Sequence, residues 1–100
     1  MAGEWRYFGT RESPLARAWA GDGGIAVHEN LFRSNGRRTA HLLAQSELQL
    51  IEAALSIGCA EWWIQCTRTI HYDLVEIYLA RALERCGLDP GHPPQRFTSR

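Results

Sequence analysis

The sequence has no lysine, no paired cysteines and no long apolar run, and each absence narrows what the chain can be. All 11 basic residues are arginine, and 11 acidic residues match them, so the formal net charge is zero. A neutral chain lacks the overall positive field that draws a protein to nucleic acid or to an anionic membrane. Direct nucleic-acid binding is therefore disfavoured, and any basic site must be local.

The cysteine pattern excludes the usual cysteine-based scaffolds. Cys59, Cys66 and Cys86 are odd in number and form no Cys-x-x-Cys pair, which argues against a disulfide framework and against a zinc ribbon. Reduced thiols fit the cytoplasm, which is the expected location. No apolar run approaches the roughly 20 residues that span a bilayer, and residues 1–10 lack a signal-peptide pattern. No membrane partner is expected.

One hundred residues accommodate one hydrophobic core. The pattern predicts a small single α+β domain, with a short β-sheet packed by two main helices, at about 46–57 and 73–86, and by a short N-terminal helix. The glycine-rich stretch 21–24 separates an N-terminal arm, residues 1–24, from a core, residues 25–88. Residues 89–100 are expected to form an irregular tail. Within the arm, a strand is predicted at Glu4–Phe8 and a helix from Ser13, with Leu15 and Trp19 on its buried face.

Capping signals predict both main helices. Ser46 and Gln49 form a Ser-x-x-Gln capping box, and Gly58 supplies a left-handed stop. Asp73 and Glu76 form a second box, which makes Asp73 the expected N-cap of the last helix. The predicted buried stripe of the first main helix is Leu48, Ile51 and Leu55, and that of the second is Val75, Leu79, Ala82 and Cys86.

Three stretches are typical of β-strands. Residues 25–27 form one, and an Asn-Gly turn at 35–36 precedes a second extended run through Leu42 and Leu43. Residues 61–66 are aromatic and β-branched, so a strand is expected there with Trp62 and Trp63 on opposite faces. A sheet covered on one face leaves one tryptophan exposed as a partner-binding residue. The alternative is that the N-terminal helix covers the second face.

The histidines suggest a metal site. His71 and Asp73 lie two residues apart, so their side chains leave an extended segment on the same face. His41 and Glu29, from neighbouring strands, could complete a set of ligands for zinc or manganese. The competing interpretation takes Asp73 as a helix cap and leaves the protein without any cofactor.

A second candidate site lies around the Asn-Gly turn. Arg33, Arg37 and Arg38 surround it, so the loop could hold a small anionic ligand such as phosphate with arginine forks. The alternative is an ordinary solvated turn, because charged residues are common in turns. No P-loop, dinucleotide fingerprint or nucleophile elbow is present.

The stretch from Ile25 to Gly87 resembles the small bacterial and phage proteins grouped as a domain of unknown function, DUF4031. The resemblance rests on a short strand and an arginine-containing loop, then on His41-Leu42-Leu43-Ala44, a helix from Ser46 to Ile57-Gly58, Trp63-x-Gln65, His71-Tyr72-Asp73, and Arg81 before Cys86-Gly87. The chain departs from the pattern at His28-Glu29, where the family's first strand typically ends in two aspartates. It also carries about twenty-four N-terminal residues that the short family members lack.

No activity comes with the family. What the resemblance implies is a compact domain whose polar residues converge on one site, namely His41, Gln65, His71, Tyr72, Asp73 and Arg81. The expected function is a non-enzymatic binding or interaction module, with Trp62 and Trp63 contacting a protein partner or a second copy of the chain. The alternative is a small metal-dependent or phosphate-handling hydrolase that uses His41, His71 and Asp73, so whether the protein is an enzyme stays open.

Overall fold

A computed structural model describes residues 3–94, which form a five-stranded sheet with helices on both faces, so the predicted α+β class is confirmed. The strands lie in the order β1-β2-β3-β5-β4, with β1 parallel to β2 and every other pair antiparallel. In chain order the elements are β1 Trp5–Phe8, α1 Ser13–Gly21, β2 Ile25–Glu29, β3 Thr39–Leu43, α2 Glu47–Ser56, a 3₁₀ turn Glu61–Trp63, β4 Gln65–Cys66, β5 Ile70–Val75 and α3 Glu76–Arg85.

The sheet has two chemically different faces, because side chains alternate along each strand. The first face carries Val27, Leu42 and Tyr72 into the main core, where α2 and α3 cover them. The second face carries Ala26 and Leu43 into a smaller cluster with the small residues of α1. Since α1 packs over the β1–β2 side, the polar side chains of β3 and β5 on the second face are left in a shallow open region.

The N-terminal arm is built into the sheet. Trp5 pairs with Ile25 and Phe8 with His28 in parallel register, as the edge strand β1. The helix begins at Ser13 as predicted, although Ser13 does not cap it, and Ala16 and Ala20 form its buried face. The expectation that Leu15 would be buried is wrong, because small residues let α1 approach the sheet closely and leave Leu15 outside.

The helix α2 begins and ends as predicted, but its buried face was assigned incorrectly. The Ser46 hydroxyl accepts the Gln49 N–H at 3.2 Å, and Gly58 adopts a positive φ of 95° after the last turn. The helix packs through Leu50, Ala53 and Ala54, whereas Leu48 is 68% exposed. The two stripes lie side by side on the helix, and alanines permit the closer contact with the sheet.

The last helix starts later than predicted, because residues 70–75 form a strand. Asp73 is a residue of β5 and does not cap α3, which begins at Glu76 without a side-chain cap. Leu79 and Ala82 are buried as expected, and Gly87 follows the helix with a φ of 79°. The expected strand over 61–66 is also mostly wrong, since residues 61–63 form a 3₁₀ turn and only Gln65–Cys66 pair with β5.

The loop between β2 and β3 has the predicted two-residue turn. Asn35 and Gly36 both have positive φ, and Ser34 and Arg37 exchange two backbone hydrogen bonds of 2.9 Å across them. This is the geometry that Asn-Gly favours in a type I′ hairpin turn.

A buried carboxylate fixes the end of β2. Glu29 is 1% exposed and receives two hydrogen bonds from Arg38, at 2.8 and 2.9 Å, and one from the Tyr7 hydroxyl at 2.7 Å. Arg38 also donates to the carbonyl of His92, which holds residues 89–94 against the sheet without helix or strand structure. The rest of the predicted irregular tail, residues 95–100, lies outside the described residues.

Removing the Arg38 guanidinium is expected to be costly, because it leaves the Glu29 carboxylate buried without its cation. Arg38→Ala should lower the free energy of unfolding by about 3–5 kcal/mol. The matched control is Arg37→Ala, which removes an exposed ion pair with Glu76 and should cost about 0–1 kcal/mol. Urea unfolding monitored by tryptophan fluorescence measures both, and equal losses in the two variants would contradict the assignment.

Candidate metal centre

Strand register brings three polar side chains into one row on the second face of the sheet. His28 of β2 pairs with His41 of β3, and His41 pairs with Asp73 of β5. Directly paired residues in a sheet share a face, so the three side chains project from the same side. His71 lies two residues before Asp73 and projects from that face as well.

The side chains of His41, His71 and Asp73 lie close together. The Nε2 atom of His41 lies 3.2 Å from Oδ1 of Asp73, and Nε2 of His71 lies 3.5 Å from the same oxygen. One ligand atom from each residue lies within 4.8 Å of the other two. The two imidazole rings are 4.3 Å apart between centroids, at a tilt of 47°. His41, His71 and Asp73 are called the triad below.

A hydrogen bond to the backbone fixes the orientation of the His71 ring. Its Nδ1 atom lies 2.8 Å from the carbonyl oxygen of Thr69. Because a carbonyl can only accept, Nδ1 must carry the hydrogen, and Nε2 then turns toward Asp73. A ring nitrogen bound to a backbone carbonyl is the usual support of a metal-ligating histidine, since it fixes both the tautomer and the ring plane.

The electrostatics of the triad favour a cation between its members. In the neutral form of His71, the lone pair of Nε2 faces a carboxylate oxygen, and the two repel unless a proton or a metal ion lies between them. Protonation of the second histidine is disfavoured, because burial lowers the pKa of His41 from its usual 6.5 and the neighbouring His71 lowers it further. The Asp73 carboxylate acts in the opposite direction and raises the pKa of His41. A divalent ion would satisfy all three side chains together.

His28 borders the triad and was not recognised as a site residue from the sequence. Its Nε2 atom is buried and has no hydrogen-bond partner among residues 3–94, while the ring is hydrogen-bonded with the backbone of Thr10. Burial lowers the pKa of His28 from 6.5, against the smaller opposing effect of that hydrogen bond. The pattern within β2 alone does not mark His28 as a site residue, because only the pairing of β2 with β3 shows that it lies beside His41.

A small cavity opens beside the triad, with a volume of about 170 Å³. His28, His41 and His71 line its floor, and Leu43 supplies an apolar patch. Residues from α1 and from the connection between β4 and β5 form its walls. This space is called the triad cavity below.

The remaining members of the predicted polar set are divided between the two faces. Gln65 pairs with His71 across β4 and β5, so it lies on the face of the triad. Tyr72 points into the main core and donates to the carbonyl of Glu61 at 2.8 Å. Arg81 belongs to α3 and donates to the carbonyl of Ile57 at 3.0 Å. The structure therefore does not bring Tyr72 and Arg81 to the triad.

Glu29 is also separated from the triad, although it was considered as a fourth metal ligand. It pairs with Ala40 on the first face of the sheet, and its oxygens accept hydrogen bonds from Arg38 and Tyr7. The adjacent residue His28 points the other way, as alternation along a strand requires.

The arginines of the predicted anion loop have separate partners. Arg38 binds the buried Glu29, and Arg37 binds Glu76 of α3 at 3.1 Å. Arg33 is exposed on the loop between β2 and β3. Arg33 and Arg38 line one small cavity, but the Arg38 guanidinium there is already bound to Glu29.

The two neighbouring tryptophans differ in exposure. Both lie in the 3₁₀ turn, where Trp62 is 81% exposed and Trp63 is 40% exposed. Trp63 packs edge-on against Tyr78 of α3, with ring centroids 5.2 Å apart. Trp62 is thus a large indole presented to solvent.

Comparisons with known proteins add no relative to this description. A scan against protein-family models, a search of curated proteins and a search of solved structures each found no match. The resemblance to DUF4031 stays a prediction. Within residues 3–94, no helix has the length and apolar character needed to cross a membrane. Any conclusion on function must therefore come from the side chains themselves.

Acidification is expected to destabilise the metal-free protein through His28 and His41. Both have a lowered pKa in the folded state, so the unfolded chain takes up protons first as the pH falls below about 6.5. Their contribution to stability is present above that pH and is lost as the pH falls through the folded-state pKa values. Imidazole NMR titration should place both pKa values below 6.5, with a lower urea midpoint at pH 5.5 than at pH 7.5. A pKa above 6.5 for either ring would contradict this.

Proposed function

We propose that the protein binds one divalent metal ion, zinc in the first place, through Nε2 of His41, Nε2 of His71 and a carboxylate oxygen of Asp73. The observation that carries the proposal is the convergence of these three ligand atoms from two strands, with His71 oriented from behind by a backbone carbonyl. Two histidines and a carboxylate are a common ligand set for zinc.

The spacing of the ligand atoms supports this assignment. Ligands about 2.0–2.1 Å from a tetrahedral zinc lie about 3.3 Å from one another. The two separations from Asp73 to the imidazoles, 3.2 and 3.5 Å, lie on either side of that value, and the third separation, between the imidazoles, is within 4.8 Å. Manganese is the second choice, because it tolerates carboxylate ligands but gains less than zinc from imidazole.

A three-ligand site of this kind leaves a coordination position free. Structural zinc sites are closed by four protein ligands, whereas hydrolytic sites keep a position for water or substrate. Zinc in such a site supplies a bound water whose pKa falls to about 7. The two histidines of the triad line an open cavity, whereas Asp73 does not line it. We therefore propose that the protein is a small metal-dependent hydrolase rather than a protein with a structural metal.

Zinc titration tests the proposal. The wild-type protein, freed of metal by a chelator, should bind one equivalent of zinc in calorimetry. His71→Ala and Asp73→Asn should each weaken binding by about 100-fold or more, since loss of a supporting outer residue alone costs about 10–100-fold. The control is His92→Ala, because His92 lies against Tyr7 and away from the triad.

The folded state of each variant is checked by circular dichroism, so that lost binding is not confused with unfolding. Manganese and iron(II) are titrated in parallel. Absence of stoichiometric binding of any divalent ion to the folded wild-type protein would overturn the proposal, and equal zinc affinity in wild type and His71→Ala would do the same.

A second candidate function is supported by the exposure of Trp62. An indole that is 81% exposed offers the large rigid contact area typical of the energetically dominant residues of interfaces. Trp63 and the neighbouring Tyr78 extend this surface with aromatic carbon. This favours a binding module that contacts a protein partner or a second copy of the chain through the 3₁₀ turn.

Self-association is the form of this second candidate that is easiest to measure. Sedimentation velocity over a concentration series should show a dimer for the wild type and a monomer for Trp62→Ser. Leu48→Ser is the matched control, since Leu48 is similarly exposed but lies on α2. A monomer at every concentration would contradict self-association, and equal weakening by Leu48→Ser would show that the contact is not centred on Trp62.

A further inference from the structure

The walls of the triad cavity differ in charge from its floor. Arg17 of α1 and Arg68 of the connection between β4 and β5 both line it, from opposite sides of the triad face. The hydroxyl residues Ser13, Thr67 and Thr69 line it as well. The cavity is thus rich in hydrogen-bonding groups close to His41 and His71.

Both arginines are available for a ligand. Within residues 3–94, neither Arg17 nor Arg68 forms an ion pair or a side-chain hydrogen bond. No carboxylate lines the cavity. The nearby Glu12 accepts the backbone N–H of Gly9 at 2.7 Å, so one of its two carboxylate oxygens is already engaged. Arg37 and Arg38, by contrast, are paired with the carboxylates of Glu76 and Glu29.

The net charge around the proposed metal ion favours an anionic ligand. Bound zinc and the Asp73 carboxylate together leave one positive charge, and Arg17 and Arg68 add two more. Guanidinium groups bind phosphate and carboxylate through paired N–H donors, and they do so more strongly beside a partly buried metal than in open water. A neutral or cationic ligand would leave this excess positive charge uncompensated.

The size of the cavity suits a small charged group, and its open side leaves room for the rest of a larger ligand. Its volume of about 170 Å³ compares with about 30 Å³ for a water molecule in the liquid and with about 300–1,000 Å³ for the pockets of drug-sized ligands. A tetrahedral phosphoryl group with a few waters fits this space. The hydroxyls of Ser13 and Thr69 suit an ion that has several acceptor oxygens, whereas the Thr67 hydroxyl already donates to the Thr69 carbonyl at 3.3 Å.

We propose that the triad cavity binds the phosphoryl group of a small phosphate monoester, with one oxygen on the metal and the others held by Arg17 and Arg68. This inference rests on the metal centre proposed above and specifies the class of substrate that it takes. Inorganic phosphate, the product of monoester hydrolysis, shares the same tetrahedral oxyanion and is the probe for binding.

The test is calorimetric titration of inorganic phosphate into protein loaded with one equivalent of zinc and freed of excess metal. Zinc-loaded wild type should bind phosphate at least about tenfold more tightly than the metal-free protein. Arg17→Gln and Arg68→Gln should each weaken phosphate binding by about tenfold or more, the usual cost of a lost charge-assisted hydrogen bond. Zinc affinity should stay within twofold of wild type in both variants.

Arg33→Gln is the matched control, because it makes the same charge change at an exposed loop residue that does not line the triad cavity, and it should leave phosphate affinity unchanged. Phosphate affinity that is indifferent to zinc or to Arg17 and Arg68 overturns the inference. If zinc binds normally in that case, the proposed metal centre stands and only the substrate class is wrong. If zinc fails to bind to folded wild type, the metal centre fails first, and with it the inference.

A competition titration distinguishes a phosphate ester from free phosphate as the ligand. Phenyl phosphate should displace inorganic phosphate from zinc-loaded wild type and should lose affinity in the same two arginine variants. Binding of inorganic phosphate without any binding of phenyl phosphate would overturn the ester part of the inference, since it would leave free phosphate as the ligand.

Discussion

The alternation of side chains along β5 is the constraint on which the rest of the structure depends. Tyr72 and Leu74 are fully buried in the main core, so His71 and Asp73 must project from the opposite face. A one-residue slip would expose both apolar residues, at about 1.5–3 kcal/mol for each, and would bury the Asp73 carboxylate. The core therefore holds the triad in register, although no triad member belongs to the core.

The same sheet separates two kinds of buried or half-buried charge. On the first face, Glu29 is neutralised by Arg38 and by the Tyr7 hydroxyl, which makes it a structural ion pair. On the second face, Oδ1 of Asp73 lies 3.2 Å from Nε2 of His41 and 3.5 Å from Nε2 of His71, and burial lowers the pKa of His41. A fully paired carboxylate stabilises the fold, whereas a carboxylate that shares its site with two imidazole nitrogens is suited to binding a cation.

The sequence predicted the α+β class, the helix α2 and the shared face of His71 and Asp73, because these depend on local caps and on alternation within one strand. It failed where tertiary contacts decide. Asp73 and Glu76 resemble a capping box, but pairing of β5 with β3 extends the strand through Val75. The role of His28 was missed because no single-strand pattern shows that β2 and β3 pair with His28 opposite His41.

The two candidate functions occupy different parts of one small domain and share a single link. Trp63 packs toward α3, on the side of the first face, while the triad lies on the second. The link is the hydrogen bond from Tyr72, which lies between two triad residues, to the carbonyl of Glu61 at the start of the 3₁₀ turn. Contact at Trp62 and ligand binding at the triad can therefore proceed independently, unless a partner displaces that turn and releases Tyr72. In that case β5 would lose the support that keeps His71 and Asp73 in place.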